Sequence, residues 1–479
     1  MSILTPLMQH QRQGVEFLIS HEGGGLLWEP GTGKTLTVIS YLDYLVDVHD
    51  RAAVLVTAPL SAVDTWPDEI AKHLNLPNVR VTVLTGSGKK KIETLNDLEP
   101  LDRGLDVIVV NLDIFSQSHK YTSSQTVRGK FCDVIRRWGF DLMVVDESHR
   151  IKGHNSNMSR AIGSLARFLP QRIILTGTVA PHSPLDIFAQ WRFLNPERFG
   201  TRKASFEGRY AILGGWHGKQ VIGFQNQKEL NRKRSMDSVV VLKKDALDLP
   251  PVTSTTHHVT LTPKERKAYN DLATHMMLDE GPDGEPYISA NALTQWLRLR
   301  QLTSGHLTDG DAVKHLGDSK IKHAADLVSD LVSAGQQVVV FAHFVDDIRR
   351  MTIALEKSKI NVQMIYGATP GEERRDIRKS FYDGGTQVVV AQMRTVSLAI
   401  NEFVVANHAV YLSMSERRDD YIQSRDRLIR KGQENPVTLH HMIVRDSIDE
   451  IIMQAHAEKG RLEAFILARL DQITKGIAA

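Results

Sequence analysis

Trp28–Thr35 reads WEPGTGKT, directly behind the apolar pair Leu26–Leu27, and Asp141–His149 reads DLMVVDESH. In the first stretch the glycines at 31 and 33 flank Thr32 and let backbone N–H groups approach a pyrophosphate. The helix that begins near Lys34 adds the partial positive charge of its N-terminus. Lys34 is placed to reach the β- and γ-phosphates, and the Thr35 hydroxyl to ligate Mg²⁺. The strict phosphate-loop pattern calls for glycine where this chain has Trp28. In the second stretch an apolar strand ends in adjacent acids, which places the carboxylates at the edge of an α/β sheet where ligands bind. There Asp146 would hold Mg²⁺ through water, and Glu147 would orient and deprotonate an attacking water.

Outward from these motifs, short aliphatic runs recur at Ala53–Ala58, Val107–Asn111 and Arg172–Thr176. They recur again at Gln337–Ala342, Val362–Tyr366, Gln387–Ala391, Ala409–Ser413 and Val437–Ile443. Runs of this kind, without polar alternation, predict strands buried on both faces of a parallel sheet. Leu36, Ile39, Leu42 and Val46 recur at helical spacing between the first turn and the next strand. The reading is therefore α/β, with two open parallel sheets in tandem and a helical insertion between them. Domain bounds fall at 1–195, 196–318, 319–446 and 447–479, the last a helical brace built on Ile448, Ile451, Ile452 and Ala455. Breaks at Leu213–Gly218, Leu249–Val252 and Glu280–Pro286, with a helix over Ser289–Thr303, mark the insertion and linker.

The 479 residues exceed one ordinary domain, and 42% hydrophobic with 24% charged residues excludes a disordered or fibrous chain. A single cysteine, Cys132, excludes an intrachain disulfide and a multi-cysteine zinc module; its apolar surroundings predict a buried thiol. The pairs His257–His258 and His440–His441 have no matching ligand cluster and read as structural. No run approaches the ~20 apolar residues that span a bilayer, and the N-terminus lacks a secretory pattern. The expected location is the cytoplasm or nucleoid, or a host cytoplasm for a viral protein, with no membrane partner.

Gln423–Gln433 reads QSRDRLIRKGQ, with Arg427 and Arg430 on one face if helical. Guanidinium groups brought from a second lobe stabilise charge on a transferred phosphoryl group, although such a run is also the composition of a solvated basic helix. Taken in order, the motifs resemble the Swi/Snf family of superfamily-two DNA translocases. LMQHQRQGVEFL at Leu7–Leu18 resembles its nucleotide-sensing motif, with Gln11 as the adenine-reading glutamine. Further matches are the stretch from Val54 to Glu69, DESHRIKG, LTGTVAP, VVVFAHF, YGATPGEERRDIRKSF and the Gln423–Gln433 run, the most specific of them. The likeness covers nearly the whole chain and is nearest to lean bacterial and phage members. Three departures stand out: Trp28, the segment Val179–His182, and Thr395–Asn401, which keeps Asn401 but lacks the family's glycines.

The resemblance implies two RecA-like lobes, ATP with Mg²⁺ as the bound group, and Arg427 and Arg430 as arginine fingers. It implies movement along double-stranded DNA, with a strand-separating or annealing DNA or RNA helicase, or a poorly coupled DNA-binding clamp or regulator, as alternatives. Ser61, Asn111, Thr176 and Thr369 would then meet one DNA strand, reading no sequence. The overall charge of +3 conceals a basic segment. Residues 201–244 hold ten Lys/Arg, among them Lys233 and Arg234, against Glu207, Glu229 and Asp237, a net of +7 that leaves −4 elsewhere. Such local charge suits phosphate binding that weakens with salt. Trp66 reads as packing or base stacking, and Trp216 as an exposed aromatic. A monomer in the basal state is expected, with a protein partner to target it.

Overall fold

The structure, a computed structural model, describes residues 2–177, 183–214, 220–275, 277–278, 287–288, 292–309, 312–396 and 401–458. Two compact units divide it, Met1–Leu247 and Asp248–Ala479. The first is built on a seven-stranded parallel sheet of β1 (Gly23–Trp28), β2 (Arg51–Ala58), β3 (Val79–Val83), β4 (Gly104–Asn111), β5 (Leu142–Val145), β6 (Gln171–Thr176) and β9 (Ser238–Val241). Its order is β3-β4-β2-β5-β6-β1-β9, and β7 (Ala211–Gly214) pairs apart with β8 (Gln220–Phe224). Every position of β4, and all but the first of β2, is buried, as aliphatic strands covered on both faces should be. Helices α1 (Gln9–His21), α2 (Lys34–His49) and α3 (Thr65–His73) pack on this unit.

The second unit holds a six-stranded parallel sheet ordered β10-β19-β18-β15-β17-β16. Its strands are β10 (Val252–Val259), β15 (Val338–Ala342), β16 (Val362–Ile365), β17 (Val388–Gln392), β18 (His408–Tyr411) and β19 (Val437–Val444). Two-stranded antiparallel pairs accompany it: β11 (Met277–Leu278) with β12 (Tyr287–Ile288), and β13 (His306–Asp309) with β14 (Ala312–His315). Across β10, β19 and β18 runs a row of three imidazoles. His257 Nε2 lies 3.0 Å from His440 Nδ1, and His440 Nε2 lies 3.0 Å from His408 Nδ1. Burial first, then its two histidine neighbours, pushes His440 down to about 4, so the row is neutral at physiological pH.

The span 196–318 is not a separate body. It divides at residue 247, the first part joining the first unit through β9 and the remainder joining the second through β10. Both strands lie at sheet edges. The eight residues of β10, VTSTTHHV, are mostly exposed, so they carry no aliphatic run to betray them. The run Gln423–Gln433 is likewise not one helix. The helix Arg418–Arg425 ends first, leaving Arg427 and Arg430 on the turns beyond it. The helix placed at Ser289–Thr303 spans Ala292–Thr303, and Ile448, Ile452 and Ala455 are buried on the helix Ile448–Glu458. Trp216, Val179–His182, residues 397–400 of the glycine-poor segment and the tail past 458 lie outside the described residues.

β9 is secured to the first unit by Asp237. Its carboxylate accepts from Trp191 Nε1 at 3.0 Å, Asn195 Nδ2 at 3.0 Å, and Arg198 Nε and Nη2 at 2.7 and 2.8 Å. Burial alone would raise this acid, but the Arg198, Asn195 and Trp191 donors hold it below the ordinary aspartate value. Asp237→Asn should therefore lower the first unit's stability by about 2 kcal/mol at pH 7, a melting shift of about 4–8 °C. A group with a depressed pKa stabilises above its unfolded value, so the wild-type advantage should shrink as pH falls below about 4. Melting curves of both proteins from pH 7 to pH 3 check the size and the sign.

Candidate functional site

The C-terminal ends of the first sheet's strands converge because the strands are parallel and in register. Leu27 of β1 pairs with Thr176 of β6, Ile174 of β6 with Val145 of β5, and Ala58 of β2 with Asn111 of β4. The loop 29–33 leaves β1 at that edge and turns into α2. Gly31 and Gly33 take φ values of 84° and 83°, which side-chain-bearing residues rarely adopt. The N-terminus of α2 has no side-chain cap, so its first amides are left to an incoming anion. Lys34 Nζ donates to the Trp28 carbonyl at 2.8 Å and reaches the Glu29 carbonyl at 3.5 Å, which holds the ammonium across the loop. The loop is braced from behind as well. Thr32 Oγ1 donates to the Glu29 carbonyl at 2.8 Å, and Glu29 Oε2 accepts from the Lys243 backbone N–H at 2.7 Å.

Gln11 is buried beside this loop. Its Oε1 accepts from the Met8 backbone N–H at 2.9 Å, and its Nε2 donates to the Thr32 carbonyl at 3.4 Å. His10 Nε2 contacts the same carbonyl at 2.8 Å. A Cβ on Gly33 would stand 2.0 Å from Gln11 Nε2, so a side chain there would displace the Gln11 amide, while φ by itself favours glycine. Trp28 also finds its explanation here. Its fully buried indole fills the interior beneath the loop, packed so closely on α1 that a Cβ on Gly14 would come within 2.7 Å of it. The bulky residue replaces a turn glycine with an internal buttress, and Gly14 supplies the space.

Asp146 and Glu147 leave β5 at the same edge. Asp146 Oδ1 accepts from the Glu147 backbone N–H at 2.8 Å, and its Oδ2 accepts from Trp66 Nε1 at 3.2 Å. Burial, then the Glu147 charge, raises the Asp146 carboxyl to about 6, opposed by Lys34 and by the Trp66 and Glu147 donors. Glu147 itself sits at φ 49°, a costly conformation for a side-chain-bearing residue that turns its carboxylate away from the strand direction. His149 Nδ1 lies 3.2 Å from Glu147 Oε2. Trp66, only 1% exposed, thus orients an acid and does not face a base. That link was invisible in the sequence, where 80 residues separate the partners.

The remaining predicted residues are less accessible than anticipated. Asn111 and Thr176 lie at their strand ends but are buried, and Asn111 Oδ1 accepts from Lys91 Nζ. Ser61 falls in the turn Leu60–Ala62 after β2. In the second unit Thr369 is buried, its Oγ1 accepting from the Tyr366 N–H at 3.1 Å. Arg430 Nη1 donates to Asn401 Oδ1, joining the arginine run to the one residue retained from the glycine motif. Within the basic segment, Lys233 pairs with Glu229 at 3.0 Å, and burial lowers the Arg234 guanidinium, so neither is a simple outward charge. Among the described residues there, Arg202, Arg209, Lys228, Arg232 and Lys244 are exposed, and Arg209 is paired with Glu229 at 2.7 Å. Cys132 is buried, its thiol pushed up to about 11 chiefly by desolvation.

Residues 10–306 match the SNF2-related domain, and residues 319–432 match the helicase conserved C-terminal domain. The chain belongs to the SNF2-related family. It is accordingly an ATPase of helicase superfamily two. Among curated relatives, protein p41 of Acyrthosiphon pisum secondary endosymbiont phage 1 is 26% identical over 92% of this chain and 94% of its own length. The chromatin remodeling factor mit1 of Schizosaccharomyces pombe is 24% identical over 97% of this chain. An uncharacterized ATP-dependent helicase of Mycoplasma genitalium is 24% identical over 96% of it. The chain spans only 33% of mit1 and 42% of the Mycoplasma protein. No helix among the described residues is long and apolar enough to cross a membrane.

The loop geometry makes Gly33 the sharpest probe of this site. Gly33→Ala should cost no more than about 1–2 kcal/mol of stability, the left-handed penalty. It should weaken binding of a fluorescent ATP analogue by at least about tenfold, because the loop or Gln11 must move. Unchanged affinity would detach this loop from nucleotide binding.

Proposed function

We propose that this chain is an ATP-driven motor that moves along double-stranded DNA to remodel it or displace bound proteins. The observation that carries the reading is the meeting, at one sheet edge, of an uncapped helix N-terminus behind a glycine loop with Asp146 and Glu147. ATP would place its β- and γ-phosphates on the amides of residues 31–35 and on Lys34. Gln11, already wedged against the loop, would read adenine. A Mg²⁺ ion carried with the nucleotide, held through Thr35 and Asp146, would neutralise the phosphate oxygens. Glu147 orients the attacking water and accepts its proton, with His149 steadying the carboxylate. Family likeness supports the reading that Arg427 and Arg430 of the second unit would act on the charge that develops on the transferred phosphoryl group.

Duplex DNA as track is supported by family membership and by the exposed cations of the 201–244 segment. Ser61, Asn111, Thr176 and Thr369, with Lys233 and Arg234, remain the proposed backbone contacts. The buried state of Asn111 and Thr176 requires the strand-end surface to open for them. The helicase named among the relatives favours strand separation as the second reading.

Glu147→Gln should leave nucleotide affinity unchanged while lowering turnover by at least about 100-fold; normal turnover would remove Glu147 from the catalytic role. The track is identified by ATPase rate with duplex DNA, single strands or RNA, alongside triplex displacement and duplex unwinding. Duplex-stimulated hydrolysis with displacement and no unwinding is the expected result. Unwinding would favour the helicase, and DNA binding without stimulation a clamp.

A further inference from the structure

A set of ligating atoms in the second unit takes no part in this chemistry. His306 opens β13 and stands across from His315 of β14, while Asp346 and Asp347 occupy the first turn of the helix Val345–Lys357. His306 Nδ1 lies 3.4 Å from Asp347 Oδ1 and 3.6 Å from Asp346 Oδ2. His306 is 1% exposed and Asp347 fully buried. Among the described residues none of these three facing atoms makes a hydrogen bond of ordinary geometry, although the Ser413 side chain also acts on the Asp347 carboxylate.

The other carboxylate oxygens are held. Asp347 Oδ2 accepts from Ser304 Oγ at 3.0 Å, and Asp346 Oδ1 lies 3.1 Å from His315 Nε2. Acids in a first helical turn are ordinary, since the helix dipole favours them. An imidazole aimed at both of them, with no hydrogen bond to either, is not. An imidazolium–carboxylate hydrogen bond would close to roughly 2.7–2.9 Å, and each buried polar atom left unpaired costs about 1–3 kcal/mol. Three ligands at about 2.0–2.1 Å from a tetrahedral ion would stand about 3.4 Å apart, close to the two separations from His306, and all three atoms lie within 4.8 Å of one another.

We propose that His306 Nδ1, Asp346 Oδ2 and Asp347 Oδ1 form a structural site for a divalent transition-metal ion of the zinc class. One imidazole and two carboxylates suit that class better than Mg²⁺ or Ca²⁺, which take oxygen-rich sets. The two carboxylates balance the ion's charge, with water completing the coordination. Ser304 and His315 orient the ligating carboxylates from behind, as outer partners of metal ligands do. Arg350 Nη1 stands 3.5 Å from Asp346 Oδ2 and opposes the ion, but it donates to the Ser304 carbonyl, and Nη2 of the same guanidinium donates to Asp318 Oδ1, at 2.8 and 2.7 Å. The site would pin the β13–β14 pair to the helix that follows β15.

Tag-free full-length protein, stripped with a chelator and free of nucleotide, is titrated with Zn²⁺ alone. One equivalent should bind both to the wild type and to Asp146→Asn, which separates this site from the nucleotide site. His306→Gln and Asp347→Asn should weaken uptake by at least about 100-fold, and His315→Ala, at an exposed position, by about tenfold. Co²⁺ bound to the wild-type chain should give the visible absorption of a four- or five-coordinate ion, a reading that requires no core variant to fold. Absence of stoichiometric uptake would mean that the three residues form only a buried ion pair. Uptake unchanged in His306→Gln, or lost in Asp146→Asn, would equally overturn the site.

Discussion

A parallel strand can deliver chemistry to a ligand only where it ends, because both its faces are spent on packing. The first unit obeys that constraint throughout. β1 ends in the glycine loop, β5 in Asp146, β6 in Thr176 and β4 in Asn111, and the strand registers bring those ends level. Everything placed there depends on backbone geometry more than on side-chain reach. Gly33 takes a left-handed φ that favours glycine, and any side chain there would push the Gln11 amide aside. Glu147 departs from the strand direction through a left-handed backbone that the neighbouring contacts must maintain.

Much of the fold was legible in the sequence, and for one reason. Central strands such as β2, β4, β15 and β17 are buried on both faces and so are written as uninterrupted aliphatic runs. Of the large-sheet strands that the aliphatic runs leave out, β3, β9 and β10 lie at sheet edges, where half-exposed or polar β-branched residues suffice, while β1 lies inside the sheet and is hidden by the three glycines of GGGLLW. Without β9 and β10, residues 196–318 read as an insertion. Arg427 and Arg430 would share a face only on a helix that continued past Arg425, and spacing alone does not reveal where a short helix stops.

The candidate site was legible where motif and chemistry coincide, at Lys34, Thr35, Asp146 and Glu147. Its supports were not. Trp66 reaches Asp146 from a helix 80 residues upstream, and Lys91 reaches Asn111 from another element. Such partners are chosen by proximity in the folded chain, and no linear pattern encodes them. Trp28 shows the opposite case: a departure from the loop pattern is accommodated by a glycine on α1, Gly14.

The imidazole row across β10, β19 and β18 has a consequence of its own. Each of its two nitrogen–nitrogen contacts holds one hydrogen, and three neutral rings carry three, so a single N–H is left at one end of the row. His440 must donate to one neighbour and accept from the other, which forces the tautomers of all three rings into a common direction. The row is therefore polarised as a whole, and its direction reverses only when both shared hydrogens change sides. Only one extra proton fits without placing two hydrogens in the same contact. Three residues on three strands thus behave as one titrating group, seated where the edge strand β10 joins the sheet.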